Sequence, residues 1–182
     1  APPDRLADWA RADAALTHPH AICRDASAVF AVAVAHAIAS GDSPQAVTAW
    51  TRNWAAGAGV HAEVRRLLAE AEQRPPADYL THAGWVGVSL QNAFFRLLHA
   101  ASLEEGVVDT IACGGDTDTH AAIAGALLGA VHGREAVPPP WRDRVLSCRP
   151  LPGLRGVHHP RPRAFWPVDA PVLAEHLLLA GE

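Results

Sequence analysis

Two aspartates and two threonines follow a pair of glycines in the run from Cys113 to His120, which reads CGGDTDTH. Carboxylate and hydroxyl oxygens at such short spacing suit hard cations such as Mg²⁺, Mn²⁺ or Ca²⁺. Neighbouring carboxylates repel each other, so a bound cation is a suitable counter-charge. The same residues also suit a helix cap, with Asp116 or Asp118 as the N-cap after a tight glycine turn. The spacing by itself leaves both interpretations open.

Apolar residues at helical spacing, together with the signals that begin and end helices, predict the elements that carry this run. Ser43-Pro44 is typical of a helix start, Gly41 of a helix end, and Ser102 with Glu105 of a capping box. The predicted helices cover residues 4–16, 21–40, 44–55, 60–72, 84–100, 103–112, 118–132, 141–146 and 169–180. No alternating strand pattern is present. We therefore predict an all-α fold, a single compact helical bundle forming one domain over residues 1–182.

Two helical stretches carry further expectations. The run from Ala26 to Ala39 is apolar on every side, which predicts a central core helix, and it is too short to span a bilayer. Gly125, Gly129 and Gly133 recur every four residues, a spacing that allows a second helix to approach closely. Residues 149–167, rich in proline, glycine, arginine and histidine, predict an irregular surface segment. A surface role is the default for His158 and His159. Arg161 and Arg163 could reach a pyrophosphate, but solvated surface positions are commoner for such arginines.

Composition narrows the class of protein. The net charge of -4 provides no basic stripe, so nucleic acid is not an expected partner. The three cysteines form no CxxC pair, which favours a reducing, cytoplasmic location over a disulfide framework or a zinc site. No signal peptide is visible. Cys113, directly before the glycines, is better explained as a small packed residue than as a nucleophile.

Four segments together resemble the ADP-ribosylglycohydrolase family, which includes the dinitrogenase-reductase-activating glycohydrolase and the ADP-ribosyl-acceptor hydrolases. Residues 114–119 with 122–126 resemble its C-terminal signature, and residues 17–20 resemble its Thr-His element. Residues 84–90 resemble its pocket-lining segment, and residues 162–167 a closing segment of bacterial members. The resemblance covers nearly all of this chain but only the back part of the family's domain. It therefore implies that residues 1–182 are the C-terminal portion of a longer domain.

The resemblance implies a set of metal ligands. Asp116, Asp118 and Thr119 would ligate one or both ions of a binuclear Mg²⁺ or Mn²⁺ centre, and Thr117 would orient the loop. The family's other acidic motifs, among them a carboxylate acting as general acid or base, are expected upstream of Ala1. No catalytic residue is thus assigned within the chain. His120 should point around the helix, in a packed or exposed role.

The resemblance also implies ligand-binding residues, each with an alternative. His18 would face ADP-ribose, or else cap or bridge loop backbone, and His20 is less suited to a role. Gly84, Trp85 and Val86 would flank the ligand, with Trp85 as a stacking face, or else simply pack at a helix start.

The implied function is a metal-dependent hydrolase that cleaves the bond at C1 of the distal ribose. Its partners would be an ADP-ribosylated protein or an ADP-ribose-containing small molecule, with no membrane, and an upstream segment of the same polypeptide. The alternative is a non-catalytic member that binds ADP-ribose or serves structurally, as the crystallin-like members do. Intact Asp116, Asp118 and Thr119 favour the enzyme.

Overall fold

The computed structural model describes residues 1–180, and all regular structure in that range is helical. This confirms the predicted all-α class. The chain divides into two compact units, residues 1–136 and the residues from Val137 onward. The assignment of residues 1–182 to the C-terminal portion of one longer domain stays a prediction.

The first unit contains seven α-helices and a short 3-10 turn at Arg134–Ala136. The helices are α1 (Pro3–Ala15), α2 (Ala21–Ser40), α3 (Pro44–Gly57), α4 (Ala62–Ala71), α5 (Val86–His99), α6 (Leu103–Ala112) and α7 (Thr117–His132). Their ends lie within two residues of the predicted ones. Local sequence signals therefore place these elements well.

The predicted caps account for several of these boundaries. The Ser43 hydroxyl accepts the backbone N–H of Ala46 at 3.3 Å, and the Ser102 hydroxyl accepts that of Glu105 at 3.1 Å. Gly41 ends α2 with a φ of 65°, in the left-handed region that glycine adopts without strain. These confirmed signals act within four residues of the chain, which is why they could be recognised from the sequence.

The core of the first unit is built around α5, which contacts α2, α3, α4, α6 and α7. Phe94 and Leu97 of α5 are fully buried, as are Leu67 and Leu68 of α4 and Leu127 and Leu128 of α7. Burying side chains of this size contributes roughly 1.5–3 kcal/mol each. This packing holds α4 and α7 against α5.

The apolar helix α2 is less enclosed than its sequence predicts. Its contacts with α1, α3, α5 and α7 are those of a core helix. However, Ile38 is 54% exposed, and Phe30 and Val34 are half-buried. By length and apolar composition alone α2 could also cross a membrane, but the core helix of a globular protein passes the same test. Its packing in the first unit favours the core interpretation.

The glycines of α7 behave differently from one another. A Cβ at Gly125 or Gly129 would meet α6 side chains at 3.4 and 3.8 Å, which are ordinary contacts, and Gly133 ends the helix with a φ of 80°. The tight approach is instead at Gly106 of α6, where a Cβ would lie 2.6 Å from Leu128 Cδ1. The predicted close helix approach therefore exists, but the glycine that requires it lies on α6.

The second unit comprises α8 (Pro139–Leu146), two 3-10 turns (Arg163–Phe165 and Pro167–Asp169) and α9 (Ala170–Leu179). None of these elements contains a fully buried residue. His158, His159, Arg161 and Arg163 are exposed, in agreement with the surface role expected for them.

Candidate metal and ligand site

The Gly-Gly turn connects α6 to α7 through two residues in the left-handed region. Gly114 has a φ of 77° and Gly115 a φ of 72°. A Cβ at Gly115 would lie 2.0 Å from the carbonyl oxygen of Tyr79, so no larger residue fits there without moving the backbone. The glycine thus allows the loop before α5 to pack directly on the turn.

Asp116 occupies the N-cap position of α7, yet it makes no capping hydrogen bond of ordinary geometry. The nearby Thr119 hydroxyl is the largest influence on its carboxyl group. Desolvation opposes it, but together with Asp118 and the Thr119 N–H the hydroxyl lowers the pKa of Asp116 below its usual value. Asp116 is therefore ionised at neutral pH, as a carboxylate ligand must be.

The oxygen donors of this turn face outward. Asp118 and Thr119 are exposed and Asp116 is half-buried. Two carboxylates and a hydroxyl fit a hard divalent cation in donor type. Within residues 1–180, no group of three or more His, Cys, Asp or Glu side chains lies close enough to hold an ion. Three oxygen donors are also fewer than the six or more ligands that such a cation takes.

The candidate ligand segment lies just before α5. The helix begins at Val86, two residues later than predicted, because residues 81–84 form a turn and the Trp85 N–H donates to the His82 carbonyl at 2.9 Å. The Trp85 ring is folded back over Gly87, where a Cβ would meet Cη2 at 2.5 Å. Trp85 nevertheless remains 39% exposed, so ligand contact and packing at a helix start both stay predictions for it.

Two concave surfaces meet at His82 and Trp85. One is an open cavity of about 680 Å³ bounded by residues 81–85. The other, of about 270 Å³, reaches α4 and the loop after it, and its walls include Arg66 of α4 and Arg74 of that loop. Both arginines are held by carboxylates, since Glu70 pairs with each of them. An aromatic face between two cavities can receive a planar ring.

His18 lies in the turn between α1 and α2, as expected, and is exposed. Its Nδ1 atom is 2.8 Å from the Thr17 hydroxyl, and its backbone N–H donates to the Ala14 carbonyl. His20 instead caps α2, because its Nδ1 accepts the N–H of Ile22 at 3.3 Å. Among the described residues, no hydrogen bond joins His18 to the Gly-Gly turn.

Cys113 is half-buried at the end of α6. Its Sγ atom donates to the Asp109 carbonyl at 3.2 Å and accepts from the Arg96 guanidinium at 3.3 Å. Arg96 also pairs with the Asp109 carboxylate at 2.9 Å. These contacts match the packing role expected for Cys113.

A buried polar chain beneath the turn was not predicted. Tyr79 donates its hydroxyl proton to Asn92 Oδ1 at 2.8 Å, and Asn92 donates to the Thr110 hydroxyl at 3.0 Å. Desolvation is the main cause that raises the pKa of Tyr79 well above its usual range, so its proton stays in place. The available signal was the presence of polar residues, Ser89 and Asn92, on the apolar stripe of α5.

Comparison with known proteins identifies the family of this chain. The model of the ADP-ribosylglycohydrolase family matches residues 1–163. ADP-ribosylhydrolase ARH3 of Bos taurus is 51% identical over 47 residues, which are 26% of this chain and 12% of that protein. ARH3 of Gallus gallus is 46% identical over 50 residues, 28% of this chain and 13% of that protein.

A protein of Acanthamoeba polyphaga mimivirus, named as an ADP-ribosyl glycohydrolase, is 36% identical over 66 residues. These make up 36% of this chain and 20% of that protein. The matched segments thus span at most a fifth of these relatives' lengths. No solved structure matches the chain. Because the family model extends from the first helix to the 3-10 turn at Arg163, this chain belongs to the ADP-ribosylglycohydrolase family.

Proposed function

We propose that this chain provides the metal-binding turn and part of the ligand pocket of a hydrolase that removes ADP-ribose from an ADP-ribosylated protein or small molecule. The observation that carries the proposal is the outward-facing set of Asp116, Asp118 and Thr119, in a turn packed against the loop that ends at Trp85. Family membership supports the same activity. The unpaired cysteines of residues 1–180 are compatible with a cytoplasmic location.

Asp116, Asp118 and Thr119 would hold one side of a centre of two divalent cations, Mg²⁺ or Mn²⁺. When bound, such ions stabilise developing negative charge and lower the pKa of water. Asp116 and Asp118 contribute the negative charge, and the neutral Thr119 hydroxyl adds a donor without further repulsion.

Trp85 would stack on a planar part of the ligand, with Gly84 and Val86 beside it and His18 as a further contact. The bond cleaved is the one at C1 of the distal ribose, through an oxocarbenium-like transition state as in glycoside hydrolysis generally. A general acid or base is also needed, and no carboxylate of this chain is assigned to that role.

The first test is Mn²⁺ binding to the Asp116→Asn variant, measured by isothermal titration. The substitution keeps the shape of the side chain but removes its charge, so we expect affinity to fall more than about tenfold. Asp13→Asn is the matched control, because Asp13 is an exposed aspartate in the last turn of α1, outside the Gly-Gly turn. An Asp116→Asn variant that binds Mn²⁺ as tightly as the unaltered protein would refute the metal assignment.

The second test measures ADP-ribose release by the complete polypeptide, with and without Mg²⁺ or Mn²⁺. Arginine-linked, serine-linked and small-molecule ADP-ribose conjugates are supplied separately, which identifies the linkage. We expect metal-dependent release from one class. Binding of ADP-ribose without release from any conjugate would reject the enzyme in favour of the non-catalytic alternative.

A further inference from the structure

A buried histidine joins the starts of the two helices that carry the candidate site. His120 of α7 is fully buried, and its Nδ1 atom lies 2.9 Å from the hydroxyl of Ser89 on α5. Ser89 is itself only 6% exposed. Within residues 1–180, His120 Nε2 is buried without a hydrogen-bond partner. An apolar side chain would fill this position without burying an unsatisfied nitrogen, so packing alone does not explain a histidine here.

The hydrogen bond between Ser89 and His120 lies close to both parts of the candidate site, the metal-binding turn and the segment before α5. His120 directly follows the candidate ligand Thr119, and its backbone N–H donates to the Asp116 carbonyl at 3.0 Å. Ser89 lies in the same first turn of α5 that begins at Val86, the last residue of the segment formed by Gly84, Trp85 and Val86. One side-chain contact therefore links the first turn of α7 to the first turn of α5.

Tyr79 reinforces the same link from the loop before α5. Its ring meets the His120 ring edge to face, with centroids 6.1 Å apart and an interplanar angle of 72°. Its carbonyl packs on Gly115, and its hydroxyl is held by Asn92. His120 thus lies where the loop, α5 and α7 meet, in a site whose side chains are fixed by one another.

We infer that His120 and Ser89 are positioning residues that set the distance between the metal-binding turn and the ADP-ribose-binding segment. This inference rests on the proposed function. Neither side chain need touch ligand or metal, since each acts through the helix that carries it. Loss of the contact should leave both subsites present but misaligned.

The test compares ADP-ribose affinity with and without Mn²⁺ in the complete polypeptide, using quenching of tryptophan fluorescence and calorimetry. The ratio of the two dissociation constants measures how well the subsites cooperate. In Ser89→Ala we expect this ratio to fall about 2- to 10-fold, the worth of a neutral hydrogen bond. Mn²⁺ affinity without ADP-ribose should change less than about twofold, because the ligands of the turn remain.

Two substitutions of His120 test whether the hydrogen bond to Ser89, rather than the size of the side chain, is what matters. His120→Asn places an amide where Nδ1 lies, so it can retain the contact with Ser89 and should largely preserve the ratio. His120→Gln places its amide near the Nε2 position, so it should lose the contact with Ser89 and lower the ratio. Thr48→Val is the matched control, because it removes a buried hydroxyl bonded to the Pro44 carbonyl on α3. It should lower thermal stability without altering the ratio.

Each outcome decides the inference. A ratio unchanged in Ser89→Ala and His120→Gln, with both ligands still bound, would overturn the positioning role and leave the proposed function intact. An equal fall in Thr48→Val would also overturn it, because the effect would then be general destabilisation. Failure of the unaltered protein to bind either Mn²⁺ or ADP-ribose would reject the proposed function, and this inference with it.

Discussion

At the scale of single residues, Asp78 shows how one carboxylate organises the loop beside the site. Its Oδ1 atom accepts the backbone N–H groups of Leu80 and Thr81 at 2.7 and 3.0 Å. The Thr81 hydroxyl first, and then these two N–H groups, lower the pKa of Asp78 to about 2, from an ordinary value of 3.8. The ionised form therefore holds the loop that places Tyr79 against Gly115.

This shift predicts an acid dependence with a definite sign. The pKa is lower in the folded than in the unfolded protein, so ionised Asp78 stabilises the fold above the ordinary value. That contribution is lost as the pH falls from about 3.8 to about 2. The free energy of unfolding of Asp78→Asn should therefore lie below that of the unaltered protein at neutral pH and approach it towards pH 2. Denaturant titrations across this range, with an NMR titration of the carboxyl group, measure both quantities.

The control for this prediction is Asp13→Asn, because the Asp13 carboxylate is exposed and makes no side-chain hydrogen bond within residues 1–180. Because this substitution breaks no such hydrogen bonds, it should lower the free energy of unfolding at neutral pH by less than Asp78→Asn does. A pKa for Asp78 near its ordinary value would contradict the hydrogen-bonded loop.

At the scale of elements, the Gly-Gly turn allows a matched comparison. Alanine at either glycine must adopt a positive φ, which costs about 1–2 kcal/mol. Gly114→Ala meets only the Leu80 side chain, at 3.2 Å, whereas Gly115→Ala meets the Tyr79 backbone at 2.0 Å. We expect Gly115→Ala to lower the free energy of unfolding by at least about 1 kcal/mol more than Gly114→Ala. Equal losses would mean that the loop does not pack on the turn.

The contact between α6 and α7 gives a second comparison. Gly106→Ala would bring a methyl group within 2.6 Å of Leu128 Cδ1, in a fully buried position, so we expect a loss of about 1–3 kcal/mol. Gly129→Ala meets nothing nearer than 3.8 Å and should gain up to about 1 kcal/mol from helix propensity. Thermal and chemical unfolding of the two variants measure these opposite signs. A stabilising Gly106→Ala would contradict the close approach.

At the scale of the whole molecule, burial differs between the two units. Helix α5 is buried along most of its length, whereas α8 and α9 contain no fully buried residue. Local opening costs least where few apolar contacts must break. We therefore expect amide hydrogen exchange in α5 to approach the limit set by global unfolding, and exchange in α9 to be faster by several orders of magnitude. Comparable protection in both helices would contradict this difference.

The sequence could predict much of the fold because its signals are local. Ser43, Ser102 and Gly41 mark helix ends through contacts within four residues, and the helix bounds follow from them. The run from Gly114 to Thr119 predicts, in the same way, a turn that presents oxygen donors at a helix start. The choice between a cap and a metal ligand stays a prediction, although Asp116 makes no capping bond of ordinary geometry.

By itself, the sequence determined the helical class, the family and the residues offered as metal ligands, since each of these is encoded by residue type at short spacing. Only the tertiary structure decided which contacts hold the candidate ligands in place. Ser89 and His120 are 31 positions apart, and the Tyr79 carbonyl meets Gly115 across a similar distance in the chain. Such contacts depend on how α5 packs against α7, and that packing is a property of the whole core, which no local pattern records.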